Sequence, residues 1–181
     1  MSFDPIRRVV TGHNAEGRSV ILSDTKVAPG TMPVWPSRGV ANIWSLDQIP
    51  ADNSGAPPEG GPKSLPGHGG TAFHIMQLPP ESDLDSMSEA DRKIATTPVT
   101  QMAAHFVKRG TPKHYGMHAT NSVDYIIVLK GEVTYVCDEG ETVLRPFDTV
   151  IQRGTNRTWI NKGTEPCLVA VSINSADPLD L

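Results

Sequence analysis

The sequence predicts an antiparallel all-β chain, closing into a barrel or a double-sheet jelly roll, and three observations carry that expectation. From Asp124 onward, short apolar or alternating runs follow one another as DYIIVLKG, EVTYVC, TVLRPFDTVIQRG, TWIN and CLVAVSI. Runs of this length with a period of two are strands that bury at least one face. The joints between them carry glycine or proline and no helix-length stretch, so neighbouring strands return antiparallel and need no crossover helices. Sixteen glycines and sixteen prolines in 181 residues are also more turn formers than a helical chain tolerates.

The elements can be taken in order. IRRVVTGHNAEGRSVILSD holds two β-branched runs, Val9 to Val10 and Ser19 to Leu22, around a turn cluster, and predicts a hairpin. APGTMPVWPSRG should break regular structure before VANIWSL resumes it as a strand. Between Ile49 and Gly70, eleven of twenty-two residues are proline or glycine, so a long surface loop is expected, of the kind used as lids or partner contacts. TAFHIMQL (71–78) returns to strand character. ESDLDSMSEADRKIA is the candidate for one short, exposed helix. Ser86 with Glu89 three residues on matches a capping box, and acidic residues gather where the helix dipole favours them. TQMAAHFVKRG reads as a further strand. No internal repeat is visible, so one structural domain is expected. Residues 1–70 would form the N-terminal hairpin and Pro/Gly-rich loop packed on the barrel, and 71–181 the barrel itself.

Composition excludes several functions. Twenty acidic and sixteen basic residues give a net charge of −4, without a lysine or arginine block that could follow a phosphate backbone, so no nucleic-acid partner is expected. No run approaches the roughly 20 apolar residues of a membrane span, and MSFDPIRRVVTGHN lacks the apolar core of a signal peptide, so no membrane partner and a cytoplasmic location are expected. Cys137 and Cys167 each sit in an apolar run. They are read as small buried hydrophobes, with neither metal spacing nor a disulfide framework. Exposed sheet edges near the hairpin would need a partner, and a homodimer is the expected assembly.

The chemistry gathers in HYGMHATNSVDYIIVLKG, residues 114–131. Gly110 is followed after five residues by Gly116-Met117-His118, after five more by Asp124, and after six more by Gly131. Later, Phe147-Asp148 marks a turn and Gly154 a bend, and Arg157 is followed after three residues by Asn161. This spacing resembles the cupin superfamily, whose first motif runs Gly-x5-His-x-His-x3–4-Glu-x6-Gly and whose second ends in His-x3-Asn. The resemblance covers roughly residues 105–175 and implies a jelly-roll barrel with its site inside. It also implies a ligand set that this chain has altered: Gly116 stands at the first histidine, His118 is kept, Asp124 replaces the glutamate one residue later, and Arg157 takes the second-motif histidine's place.

His118 and Asp124 therefore remain as two metal donors, and His114, Gln152 or His74 would have to complete a site. Arg157 cannot, because a guanidinium has no lone pair and repels a cation. The leading expectation is a small-molecule enzyme of lyase or isomerase type that needs no cofactor. In it His118, Asp124 and Arg157 carry acid–base chemistry on a small organic acid or an enolisable carbonyl compound. Arg157 would face the cavity as an anion receptor, turn outward, or pair with Asp124 in place of a lost metal. Trp159, Gln152 and His114 are expected as pocket walls, and Ile126 and Val128, on the face of Asp124, as apolar lining. The alternatives are a metal-dependent dioxygenase holding Fe, Ni, Mn or Zn through His118 and Asp124, and a non-catalytic ligand-binding protein.

Overall fold

The computed structural model describes residues 2–53, 62–96, 106–107 and 113–180, with only the backbone given for Phe106 and Val107. An N-terminal hairpin of β1 (Ile6–His13) and β2 (Ser19–Val27) forms its own two-stranded sheet. Next come β3 (Gly30–Met32), β4 (Trp35–Leu46) and β5 (Thr71–Leu78). A 3₁₀ helix (Glu81–Ser86) and α1 (Glu89–Thr96) follow. Two short pairing segments, β6 (Phe106–Val107) and β7 (Ala119–Thr120), lead into β8 (Ser122–Lys130). The chain is completed by β9 (Val133–Cys137), β10 (Glu141–Leu144), β11 (Thr149–Arg153), β12 (Arg157–Ile160) and β13 (Cys167–Ser175).

A six-stranded sheet in the order β11-β8-β13-β5-β4-β3 faces a three-stranded sheet in the order β10-β9-β12. Apolar side chains from both meet in one core: Leu78, Ile126, Val128, Val169 and Val171 from the larger sheet, with Val133, Tyr135 and Leu144 from the smaller. This is a jelly-roll-like double sheet, but the two sheets are not closed into the expected barrel. At the seam the backbone contributes an isolated bridge between His118 and Arg157.

The back of the six-stranded sheet carries a second core. Ala41, Ile43, Ile75 and Ala170 are covered there by Phe3 and, from the hairpin, by Ile6 and Val27. The hairpin is longer than the two β-branched runs, but it stands where the sequence put it. A third cluster, of Trp35, Leu84 and Ala95, docks the helical segment on β4.

Two expectations need correction. The stretch taken as irregular, APGTMPVWPSRG, contains β3 and the first part of β4. Pro36 enters β4 before that strand pairs with β5, where a missing N–H costs no ladder bond. The helix breaks into the 3₁₀ turn and α1, and its cap is Ser88 and not Ser86. Ser88 Oγ accepts a 3.1 Å bond from Asp91 N–H and donates a 2.8 Å bond to the Asp91 carboxylate, so aspartate does the work that Glu89 was expected to do. Of the strand expected over residues 100–110, Phe106–Val107 is observed; the rest, with Gly110, lies outside the described residues. Among those residues no helix is long and apolar enough to cross a membrane.

Candidate functional site

A cavity of about 690 Å³ lies over the front of the six-stranded sheet. Strand alternation supplies its apolar lining: Met76 and Leu78 from β5, Ile126 from β8, Val169, Val171 and Ile173 from β13, and Trp159 from β12. Its polar wall is set by pairing register. Gln152 on β11 sits directly opposite Asp124 on β8. His118 and Arg157 exchange backbone bonds of 3.0 and 3.1 Å.

The side chains of Asp124, Gln152, Arg157 and Tyr135 form one network across the seam, joined by the His118 backbone carbonyl. Gln152 donates through Nε2 to Asp124 Oδ2 and accepts from Arg157 Nε at 2.6 Å and from the Tyr135 hydroxyl at 3.2 Å. Arg157 Nη1 donates to the His118 carbonyl at 2.7 Å, while Nη2 stands 3.8 Å from Asp124 Oδ2. Asp124, Gln152 and Arg157 are only 3%, 1% and 6% exposed. Of the three placements left open for Arg157, burial rules out the outward one, and the geometry is that of the buried pair with Asp124. Most of its donors are already committed inside the protein.

Burial sets the proton affinities. It raises the pKa of Asp124 above the ordinary carboxylate range, and the Ser122 hydroxyl and Arg157 only partly oppose this. Asp124 Oδ1 is buried without a hydrogen-bond partner among the described residues, which disfavours the charged form further. His118 moves the other way. Burial, and then the charge of Arg157, lower its pKa to about 4. Its Nδ1 lies 2.6 Å from the Gly116 carbonyl, so Nδ1 carries the proton of the neutral ring and Nε2 the lone pair.

The donor set does not fit a resident transition metal. Among the described residues no three His, Cys, Asp or Glu side chains converge, Asp124 Oδ2 is taken by Gln152, and a permanent cation stands beside it. Gly116, at the position of the missing first histidine, has φ +72°.

Of the residues expected at the site, His118, Asp124, Arg157, Gln152, Trp159 and Ile126 line the cavity together. Two do not. Val128 is buried in the inter-sheet core, and His114 is half-buried outside the lining. His74, considered only as a spare ligand, is a cavity wall. Asn161, at the end of the second motif, ties a turn by donating to the Leu78 and Glu165 carbonyls. Sequence reasoning missed Tyr135, although its inward position on β9 was readable from alternation. It also missed Tyr115 and Arg38, the latter because WPSRG had been read as irregular.

Two facing antiparallel sheets around a cavity seamed by polar side chains form a cupin-like jelly roll. No protein-family profile matches the chain, but curated relatives do. Phomopsin biosynthesis cluster protein C' of Diaporthe leptostromiformis is 32% identical over 114 residues, covering 56% of this chain and 60% of that protein. The cupin-domain-containing oxidoreductase fogC of Aspergillus ruber is 28% identical over 165 residues, covering 88% of this chain and 67% of that protein. The chain thus spans about 60% of the length of the first of these relatives. Among solved structures, a putative ethanolamine utilization protein q from Salmonella typhimurium aligns over 97% of this chain and all of that one, with 12% identity and a TM-score of 0.46. A cupin-superfamily sugar phosphate isomerase from Silicibacter pomeroyi aligns over 83% and 72%, with 13% identity and a TM-score of 0.43. The resemblance to cupins read from the sequence is borne out by the cupin domain in the name of the fogC relative.

Proposed function

We propose that the chain is a small-molecule enzyme of lyase or isomerase type, acting by acid–base chemistry on a small organic acid or enolisable carbonyl compound in this cavity. The observation that supports it is the pairing in one wall of Asp124, a carboxylate whose burial raises its proton affinity, with His118, an imidazole whose burial lowers its own. Groups whose environments push their proton affinities apart divide acid and base roles between them. The Asp124 carboxylate takes a proton from the carbon beside the carbonyl, the C–H electron pair moves to the carbonyl oxygen, and the fixed charge of Arg157 stabilises the resulting enolate. Return of the proton at another carbon isomerises the compound; loss of a β-substituent eliminates it. Desolvation strengthens each of these charge contacts.

Phenylpyruvate, an enolisable acid with an apolar ring, is a suitable first compound. Deuterium entry at its C3 in D2O, followed by proton NMR above the buffer rate, should fall at least 100-fold in Asp124→Asn. An unchanged rate in that variant would end the proposal. A second reading, metal-dependent oxygenation, draws support from the relative named as an oxidoreductase. It would replace the first if protein purified without chelators held near-stoichiometric iron, nickel, manganese or zinc that His118→Ala abolished. The homodimer remains a proposal too, supported by Tyr125 and Ile151, paired across β8 and β11 and 55% and 58% exposed. Light scattering on the eluting protein reads the mass directly.

A further inference from the structure

With the donors of Arg157 engaged by Gln152, the His118 carbonyl and Asp124, a second cation on the cavity wall gains importance. Arg38 projects from β4 into the same cavity. Its guanidinium carbon lies 5.3 Å from the centroid of the Trp35 ring. That ring is itself fixed: Trp35 is 2% exposed, and its Nε1 donates to Asp83 Oδ2 at 3.1 Å, an oxygen that also accepts from the Ser37 hydroxyl at 3.1 Å. Asp83 is therefore committed to holding the platform.

Among the described residues no carboxylate lies within ion-pairing distance of Arg38, although the other cation of the cavity has one. Glu81 stands beside Tyr115 and, after burial, helps push its pKa up to about 12. An arginine that stands over an indole ring, half-buried, and lines an apolar cavity with no carboxylate in ion-pairing distance among the described residues has the geometry of an anion receptor. Its charge reaches the reaction wall, since it adds to that of Arg157 in lowering the His118 pKa.

We propose that Arg38 is the specificity-determining residue of this site, binding the carboxylate of an acid whose apolar body lies along Met76, Ile126, Val171 and Trp159. The inference rests on the acid–base reading for what happens to the bound acid, but not for the binding itself. It narrows the substrate class to a monocarboxylate with an aromatic or branched apolar tail, and excludes sugars and neutral ketones. Planar guanidinium and carboxylate groups meet through two parallel N–H···O bonds, which fix the acid's orientation as well as its charge.

The probes are trans-cinnamate and its neutral amide, cinnamamide, titrated calorimetrically into the full chain. The wild type should bind cinnamate about 10- to 100-fold more tightly than cinnamamide. Arg38→Gln should lose that preference while keeping its affinity for the amide, and Arg38→Lys should recover part of it. Cinnamate, but not cinnamamide, should also protect Arg38 of the wild type from phenylglyoxal, read by mass spectrometry, which keeps the test independent of how the variants fold. Equal binding of acid and amide by the wild type, undiminished cinnamate affinity in Arg38→Gln, or equal protection by both probes overturns the proposal. Asp124→Asn separates the two claims: it should bind cinnamate like the wild type while losing proton exchange. Exchange that survives in Asp124→Asn defeats the acid–base reading and leaves the anion receptor standing.

Discussion

The two faces of the six-stranded sheet solve opposite problems. The back face is apolar and filled, with Ala41, Ile43, Ile75 and Ala170 sealed by Phe3 and the hairpin. The front face, made by the same strands one residue out of phase, surrounds a cavity and buries Asp124, Gln152 and His74, with Arg157 reaching in from the opposing sheet. A void forfeits dispersion contacts, and each buried polar group must be matched or it costs stability. A fold under pressure only to be stable would make the front like the back. That it does not is the physical argument that the front is where this protein works.

The largest expected effect exposes this asymmetry. Asp124→Ala leaves the Arg157 guanidinium buried without its carboxylate, and urea denaturation should show a loss of about 3–5 kcal/mol. Replacing the network as a unit, Asp124→Leu with Gln152→Leu and Arg157→Met, should leave stability within about 1–2 kcal/mol of the wild type or raise it, while proton exchange disappears. If the triple variant unfolds as badly as Asp124→Ala, the network is structural and the contrast between the faces collapses. On the back, Ile75→Ala should cost about 2–4 kcal/mol and leave phenylpyruvate exchange per folded molecule unchanged.

A pH titration sharpens the same contrast. Because His118 has a folded pKa of about 4 against 6.5 in the open chain, the unfolded state takes up its proton first as pH falls. Stability present above about pH 6.5 is therefore lost progressively toward pH 4, by at most roughly 3 kcal/mol before solvent screening reduces it. Asp124 has the opposite sign: its raised pKa adds stability below the ordinary carboxylate range that fades as pH rises through the folded value. Imidazole NMR should show the His118 ring neutral throughout pH 5–8, and an imidazolium signal at pH 6 would refute the assigned burial.

The smallest effect lies outside both faces. Phe147 holds φ at +74° and is 81% exposed, so glycine there should stabilise the protein by about 1 kcal/mol in thermal melts.

What the sequence disclosed follows from the same division. The strands after Asp124 were legible because their burial alternates, and a period of two survives without any knowledge of neighbours. His118, Asp124 and Arg157 were found through motif spacing, and register then explains why they meet: Gln152 faces Asp124, and His118 faces Arg157. Arg38 was hidden because Pro33 and Pro36 suggested a break, while the fold uses an early part of β4 where a missing N–H is harmless. The failure of the sheets to close was also invisible. It depends on which strands pair at the sheet edges, and no local pattern encodes which residues meet across a seam.

Gly116 sets a direction on the chain's possible histories. Its left-handed backbone, and the Thr158 hydroxyl 3.2 Å from where a Cβ would stand, mean that installing an imidazole there costs on the order of 1–2 kcal/mol before any coordinate bond can form. Exchanging Arg157 for histidine would bring the donors to three, with His118 and Asp124, and leave the loop still shaped against a fourth. Completing the four-ligand set would require the backbone at Gly116 to be rewired as well, a separate step with its own cost.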